Sequence, residues 1–520
     1  MKRILEGRQP EAVLRFFEEI CAIPHGSGNV KEISNYLVSF AERRQLKYRQ
    51  DEKYNVIIWK DGTAGYENRE PVILQGHMDM VAVKDPDVDK DMEKEGLDLE
   101  ISGDMLSAAG TSLGGDDGIG VAYGLAVLDS RSLSHPPIEA VFTVDEEIGM
   151  LGASFIELSD LKGRLMINLD SEIEGIFTVS CAGGAAVTGL LPISKEESAG
   201  SEKGEKEASR HSLQSSSAAG LLLRIAGLKG GHSGMEIKKG TLNANIAMGR
   251  ILYELSEDVD FRLIEIAGGE KDNAIPVSCQ ALLALSPAAA EESCAAKTGG
   301  EENADLKEAA ARAAGRALQI MEQIREEYAC IEDSMIGTAE VINLQKEKLT
   351  TKESTRRVIA ALMNHPNGIQ RMSSEIPDMV QTSLNLGIVR TYDSHVTLTS
   401  AVRSSVETEK SHLINRIRSL MEILGGRIEI EGDYPGWAYR PESRLRNVMV
   451  GTYKEIYGKE PSVEGVHAGL ECGIFAAKLP GLDAISIGPQ LYEIHTSREH
   501  LELNSVRRTW ELLVKTLEKL

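Results

Sequence analysis

Four stretches in the N-terminal third of the chain pass through an apolar or glycine-rich run and stop on a histidine or an acid. They are Val72-Ile73-Leu74-Gln75-Gly76-His77-Met78-Asp79, Gly114-Gly115-Asp116-Asp117-Gly118, Phe142-Thr143-Val144-Asp145-Glu146-Glu147-Ile148-Gly149 and Met166-Ile167-Asn168-Leu169-Asp170-Ser171-Glu172. Short aliphatic and β-branched runs read as strands, and consecutive acids at their ends repel one another unless something positive is present. This recurrence calls for strands whose carboxyl ends, together with a helix start, converge on one polar site.

The rest of the chain supports such a layer. From Pro10 to about Gln45 apolar residues recur at three- and four-residue spacing (Leu14, Phe17, Ile20, then Ile33, Leu37, Phe40), which predicts two amphipathic helices. Strands are predicted over 55–59, 72–74, 138–144, 165–169 and 176–180, with a helix over 118–128. Strands interleaved with helices indicate an α/β layer with a mostly parallel sheet, and ligands of such sheets sit beyond the carboxyl ends of the strands. Residues 194–220 and 286–305 are polar and interrupt strand-like runs, 186–193 with 221–228 and 274–285 with 339–344. They read as insertions in a second, sheet-containing domain. The first is expected to be a disordered loop, because it has too little apolar surface to offset the entropy of ordering. A helical composition over 306–328, strand-like alternation over 383–405 and a helix over 412–425 follow. A turn-rich 433–441 returns the chain to the first domain, which ends with helices over 445–457, 471–477 and 503–517 and a strand over 484–487.

Composition narrows the function. With 57 Lys+Arg against 80 Asp+Glu the net charge is −23, which repels phosphate backbones and anionic lipid and leaves small molecules or other proteins as partners. No uncharged apolar run approaches the roughly 18 to 20 residues that span a bilayer. Near the N-terminus Glu6, Arg8 and Glu11 break any signal-like stretch. Cys21, Cys181, Cys279, Cys294, Cys330 and Cys472 are scattered without a Cys-x-x-Cys pair, which suits reduced thiols. A soluble cytoplasmic protein of two or three cores is expected.

Each motif has a plain reading and a chemical one. His77 and Asp79 face the same side of an extended backbone, so the carboxylate can hold one ring nitrogen while the other ligates a metal; otherwise they merely close a strand. Asp116-Asp117 can cap a helix and complement its dipole, or bridge two cations with glycines allowing close approach. Among Asp145, Glu146 and Glu147, neighbouring side chains diverge, so one glutamate can ligate while the next reaches a water as general base; a surface turn tolerates the same run. An oxygen-and-imidazole set without thiolate suits Zn²⁺, and also Mn²⁺ or Co²⁺. The Gly114-Gly115 turn lacks the G-x-G-x-x-G or Gly-Lys-Ser/Thr pattern of nucleotide sites.

The runs GHMDMV, GGDDGIGVA, DEEIGMLGA and NLDSE, then GGHSG at 230–234, DNAIP at 272–276 and HAGLECG at 467–473, resemble in order and combination the cocatalytic-zinc aminopeptidase, carboxypeptidase and deacylase family. The resemblance spans nearly the whole chain. It implies a mostly parallel-sheet dizinc catalytic domain, residues 1–184 plus 438–520, and an inserted α+β lid, residues 185–437, that also forms a homodimer. By the same resemblance two divalent ions, zinc first with manganese or cobalt as options, lie about 3.5 to 4 Å apart. His77, Asp116 and Asp170 would hold one and Asp116, Glu147 and His495 the other, with Asp116 often entering a cis peptide in relatives. Glu146 would be the general base, and Asp79 would orient His77. Gly488-Pro489 ahead of His495 favours it over His467 as the last ligand. Arg498 departs from the acid that relatives often carry there. His232 would stabilise the oxyanion and Arg403 would clamp the peptide carboxylate, while His467 and Gly469 line the substrate pocket. Without the resemblance His232 reads as a turn residue and Arg403 as a strand charge, and Asn273 carries a weaker signal. The remaining histidines are structural or exposed. The implied reaction is hydrolysis of dipeptides, Xaa-His and broader, by a metal-bridged hydroxide. HAGLECG favours a dipeptidase over a tripeptidase or an N-acyl amino-acid deacylase of the same family. A catalytically inactive binding protein is the alternative from another class, and an intact Glu146 with a full ligand set argues against it.

Overall fold

Alternating residues of the predicted strands are buried in two different cores, which makes those strands the middle layer of a sandwich. Val56, Ile58, Val72, Leu74, Ala140, Phe142, Leu165 and Ile167 face one core, shared with the helices Glu11–Cys21, Lys31–Arg44, Gly115–Asp129 and Leu503–Lys519. Ile57, Ile73, Val141 and Met166 face the other, shared with Leu151–Phe155 and Glu471–Lys478. The computed structural model describes residues 3–197, 218–285, 301–344 and 348–520.

The chain divides into two compact units. The first comprises Met1–Ala182, Ser374–Met379 and Tyr434–Leu520. Its eight-stranded sheet runs in the order Lys47–Gln50, Val56–Lys60, Ile138–Thr143, Val72–His77, Leu165–Asn168, Asp483–Ser486, Ile176–Cys181, Ser462–Val466. The four central strands are parallel, so their carboxyl ends open on one edge. Antiparallel pairing is confined to the flanks. A smaller four-stranded sheet holds Leu491–Tyr492 against His500–Glu502.

The second unit, Gly183–Ser373 with Val380–Asp433, is built on a nine-stranded sheet in which the strands from Gly183–Pro192 to Val380–Thr391 and His395–Ser404 pair antiparallel. The helices Ala244–Asp258, Glu301–Glu327, Lys352–Asn364 and Glu407–Ile423 share its core. Ser374–Met379 belongs to the first unit although it lies inside the expected insertion, because Ile376 and Met379 are buried in that unit's core. Part of the expected disordered loop is ordered: Lys195–Glu197 pairs with Lys348–Thr350, and Ala218–Ala226 is a strand. The remainder, 198–217, lies outside the described residues, as do 286–300 of the second polar run. The helix Glu301–Glu327 begins earlier than its composition indicated, and 274–278 form a loop ahead of the strand Cys279–Leu285.

Candidate functional site

His77 ends its strand, and Gly76 before it is required by a close approach. A Cβ on Gly76 would lie 2.3 Å from Asp117 Oδ2, the oxygen that accepts the His77 backbone N–H at 3.1 Å. Asp117 also accepts from Gly120 N at 3.2 Å and so caps its own helix. The Asp116-Asp117 bond is cis. The tandem acids therefore divide the two readings between them: Asp117 closes the helix start and Asp116 turns toward the histidines. Glu146 and Glu147 follow the strand Ile138–Thr143 through Asp145, whose φ of 54° is left-handed. That conformation is held by Gly28 N donating to Asp145 Oδ1 at 2.7 Å. His495 sits in the turn between Leu491–Tyr492 and His500–Glu502, also left-handed with φ 60°.

These segments meet. His77 Nε2 lies 3.1 Å from Asp116 Oδ1 and 3.4 Å from Asp170 Oδ1. His495 Nε2 lies 3.1 Å from Asp116 Oδ2 and 2.9 Å from Glu147 Oε1. Three sets place their ligand atoms within 4.8 Å of one another: His77, Asp116 and Asp170; Asp116, Glu147 and His495; and His77, Glu146 and Glu147. His77 Nδ1 is 3.0 Å from the Asp79 carbonyl and 3.5 Å from its carboxylate, so a proton on Nδ1 serves the backbone oxygen and leaves Nε2 as a lone pair. The Asp79 carboxylate accepts instead from Ser27 Oγ at 2.8 Å, Glu146 N at 3.0 Å and Glu147 N at 3.4 Å. One residue thus supports both the imidazole and the glutamate turn.

The charges do not balance among the side chains alone. Burial, with Asp116 adding to it and His77 opposing, pushes Asp170 up to about 7. Burial likewise pushes Glu146 up to about 9, against His77 and with Asp170, Glu471 and Glu147. Hydrogen bonding to Asp116 and Glu147 pushes His495 up to about 10. Burial disfavours a charged His77, yet Asp170, Asp116 and Asp79 outweigh it and hold the ring well above the usual range. Each Nε2 faces two carboxylates with at most one proton to offer. A cation among them satisfies all three groups at once.

Sequence reasoning missed two buried acids that support this arrangement. Glu499 accepts four backbone N–H groups, from Leu113 at 2.8 Å, Gly114 at 3.0 Å, Gly115 at 2.8 Å and Asp116 at 3.3 Å. It ties the His495 turn to the loop that delivers Asp116, and its only local signal is an acid four residues after a histidine. Glu471 of HAGLECG is fully buried and raised to about 7, chiefly by that burial. His467 is buried after the strand Ser462–Val466 and belongs to none of the three sets among the described residues. At Gly469 a Cβ would lie 3.0 Å from the Tyr434 ring. In the second unit GGHSG and DNAIP are adjacent, with His232 bridged to Ala274 and Ser233 N donating to the Asn273 carbonyl at 2.8 Å. Arg403 is buried on its strand, and its charge acts on His232. A cleft of about 1070 Å³ in the first unit borders Glu147, between 26–29, 80–82 and 89–93.

The model of peptidase family M20/M25/M40 matches residues 73–519, which takes in every one of these motifs. The chain belongs to that family. This M20 peptidase is 33% identical over 518 residues to the cytosol non-specific dipeptidase of Escherichia coli (strain K12), covering 99% of each chain. It is similar to the solved aminoacylhistidine dipeptidase of Vibrio alginolyticus, with 34% identity, a TM-score of 0.87 and 99% and 98% of the two chains covered. The aminopeptidase PepT of Bacillus cereus shares the fold at 15% identity and a TM-score of 0.52, over 98% of this chain and 99% of that one. As an M20 peptidase the protein is a hydrolase of peptide bonds.

Proposed function

We propose that this M20 peptidase is a dipeptidase, with Xaa-His among its substrates, working with two divalent metal ions in the cytoplasm. The observation that carries the reading is Asp116, whose two carboxylate oxygens each lie 3.1 Å from a different imidazole, so that one side chain serves two donor sets. The donors are oxygen and imidazole nitrogen, which fits zinc best and admits manganese or cobalt. His77, Asp116 and Asp170 would hold one ion, and Asp116, Glu147 and His495 the other. Bound there, the ions would polarise the scissile carbonyl and lower the pKa of the attacking water.

The chain's own groups do the rest. Glu146 takes the proton from water and returns it to the leaving amine; its carboxylate lies within 4.8 Å of the His77 and Glu147 ligand atoms, within reach of a water held there. His232 Nδ1 accepts from Gly234 N at 3.3 Å and Met235 N at 3.1 Å, so the neutral ring carries its proton on Nε2 and can donate to the oxyanion. Burial, then the Arg403 charge, lowers the pKa of His232 and keeps it in that neutral form. Arg403 serves to clamp the substrate's C-terminal carboxylate; in the first unit, His467 and Gly469 serve to line a substrate pocket. The second unit acts as lid and makes a homodimer. The cytoplasmic location follows the relative named for the cytosol, and no described helix is long and apolar enough to cross a membrane.

The test is metal content per chain with hydrolysis of free dipeptides including an Xaa-His, a tripeptide and an N-acetyl amino acid, before and after chelation. Two ions and chelator-sensitive cleavage of the dipeptides alone are expected. Preference for the tripeptide or the acetylated substrate overturns the dipeptidase assignment, and a folded chain without metal or activity overturns the reading altogether. Arg403→Ala should raise KM for free dipeptides and leave C-terminally amidated ones nearly unaffected; an equal loss on both removes the clamp.

A further inference from the structure

Beneath the candidate ligands lies a buried polar rung. Gln75, Thr143, Asn168 and Glu471 are all fully buried. Glu471 Oε2 accepts from Gln75 Nε2 at 2.5 Å and from Thr143 Oγ1 at 2.6 Å, while Gln75 Oε1 accepts from Asn168 Nδ2 at 2.5 Å. Gln75 and Asn168 are paired in the parallel register of their strands. His77 and Asp170 follow two residues on in each segment, on the same face, with Leu169 N still donating to the Gln75 carbonyl at 2.8 Å. The rung therefore joins the two backbones immediately below the pair whose Nε2 and Oδ1 are 3.4 Å apart. Glu471 is also the first residue of the helix Glu471–Lys478, directly after the loop carrying His467 and Gly469.

We propose that Glu471 is a positioning residue that, through Gln75, Thr143 and Asn168, sets the spacing of His77 and Asp170 and so governs one of two metal sites. The proposal rests on the two-metal reading above. Its physical basis is that one oxygen accepts from two strands at once; without it the buried Gln75 amide and Thr143 hydroxyl keep only the longer contacts to Thr143 Oγ1 at 3.4 Å and the Gly76 carbonyl at 3.3 Å, and the strand ends are released.

The test is titration of the metal-free full chain with Zn²⁺, followed by calorimetry, for the wild type, Glu471→Met and Glu471→Gln. Glu471→Met is expected to weaken one of the two sites by about ten- to a hundredfold, the range for loss of a group supporting a ligand, and to leave the other unchanged. Glu471→Gln keeps an oxygen that accepts both bonds and should bind both ions as the wild type does. Equal weakening of both sites, no weakening, or a glutamine variant as poor as the methionine one overturns the proposal. If Glu471→Met does not fold, Thr143→Val removes one donor to the same oxygen and should weaken the same single site; unaltered binding there also overturns it. A folded wild type that takes up no Zn²⁺ overturns the two-metal reading itself, which separates that failure from this one.

Discussion

Glu146→Gln is expected to lower kcat by about 10²- to 10⁴-fold, the range for loss of a positioned general base, while both metal ions stay bound. The substitution keeps the size of the side chain and its place in the turn, because the backbone N–H of Glu146 is held by Asp79 Oδ1 at 3.0 Å independently of the side chain. Only the basic oxygen is lost. Kinetics on a free dipeptide and metal analysis of the same sample decide the matter. Loss of activity together with one metal would make Glu146 a ligand, an assignment that the set His77, Glu146 and Glu147 allows geometrically. Retained activity would pass the base to another group.

Asp116→Asn is expected to lower kcat/KM by more than about 10³-fold and to deplete both ions, since most of the electrostatic stabilisation of the transition state would go with them. The reasoning is geometric: Asp116 belongs to two donor sets, whereas Asp170 belongs to one. Asp170→Asn should therefore cost one ion and Asp116→Asn two, as read by metal content after desalting. The same stoichiometry in both variants would remove Asp116 from the bridging position. The fold should survive either change, because the helix start is capped by Asp117 and the loop before it by Glu499.

The central sheet was legible because its strands are buried on both faces and must be aliphatic throughout, which leaves a continuous local pattern. The second unit was less so. The helices Ala244–Asp258 and Lys352–Asn364 and the strand Arg427–Tyr434, four of whose residues are exposed charges, stand outside the sequence reading. The strand Lys195–Glu197 could not be told from the polar run around it, because its partner Lys348–Thr350 is supplied from far along the chain.

What the sequence determined by itself is the order of strands and the acids and histidines at their ends. Covalent connection places each such residue within a few positions of an apolar run, so no long-range information is needed to find it. What only the tertiary structure decided is which distant groups answer one another. It closed His495 onto Asp116, gave the Asp79 carboxylate to the glutamate turn, and buried Glu499 and Glu471 against partners 328 to 396 residues away. A buried acid with several donors and a solvated surface acid look alike in sequence, because the donors that make burial tolerable come from segments that folding alone brings near.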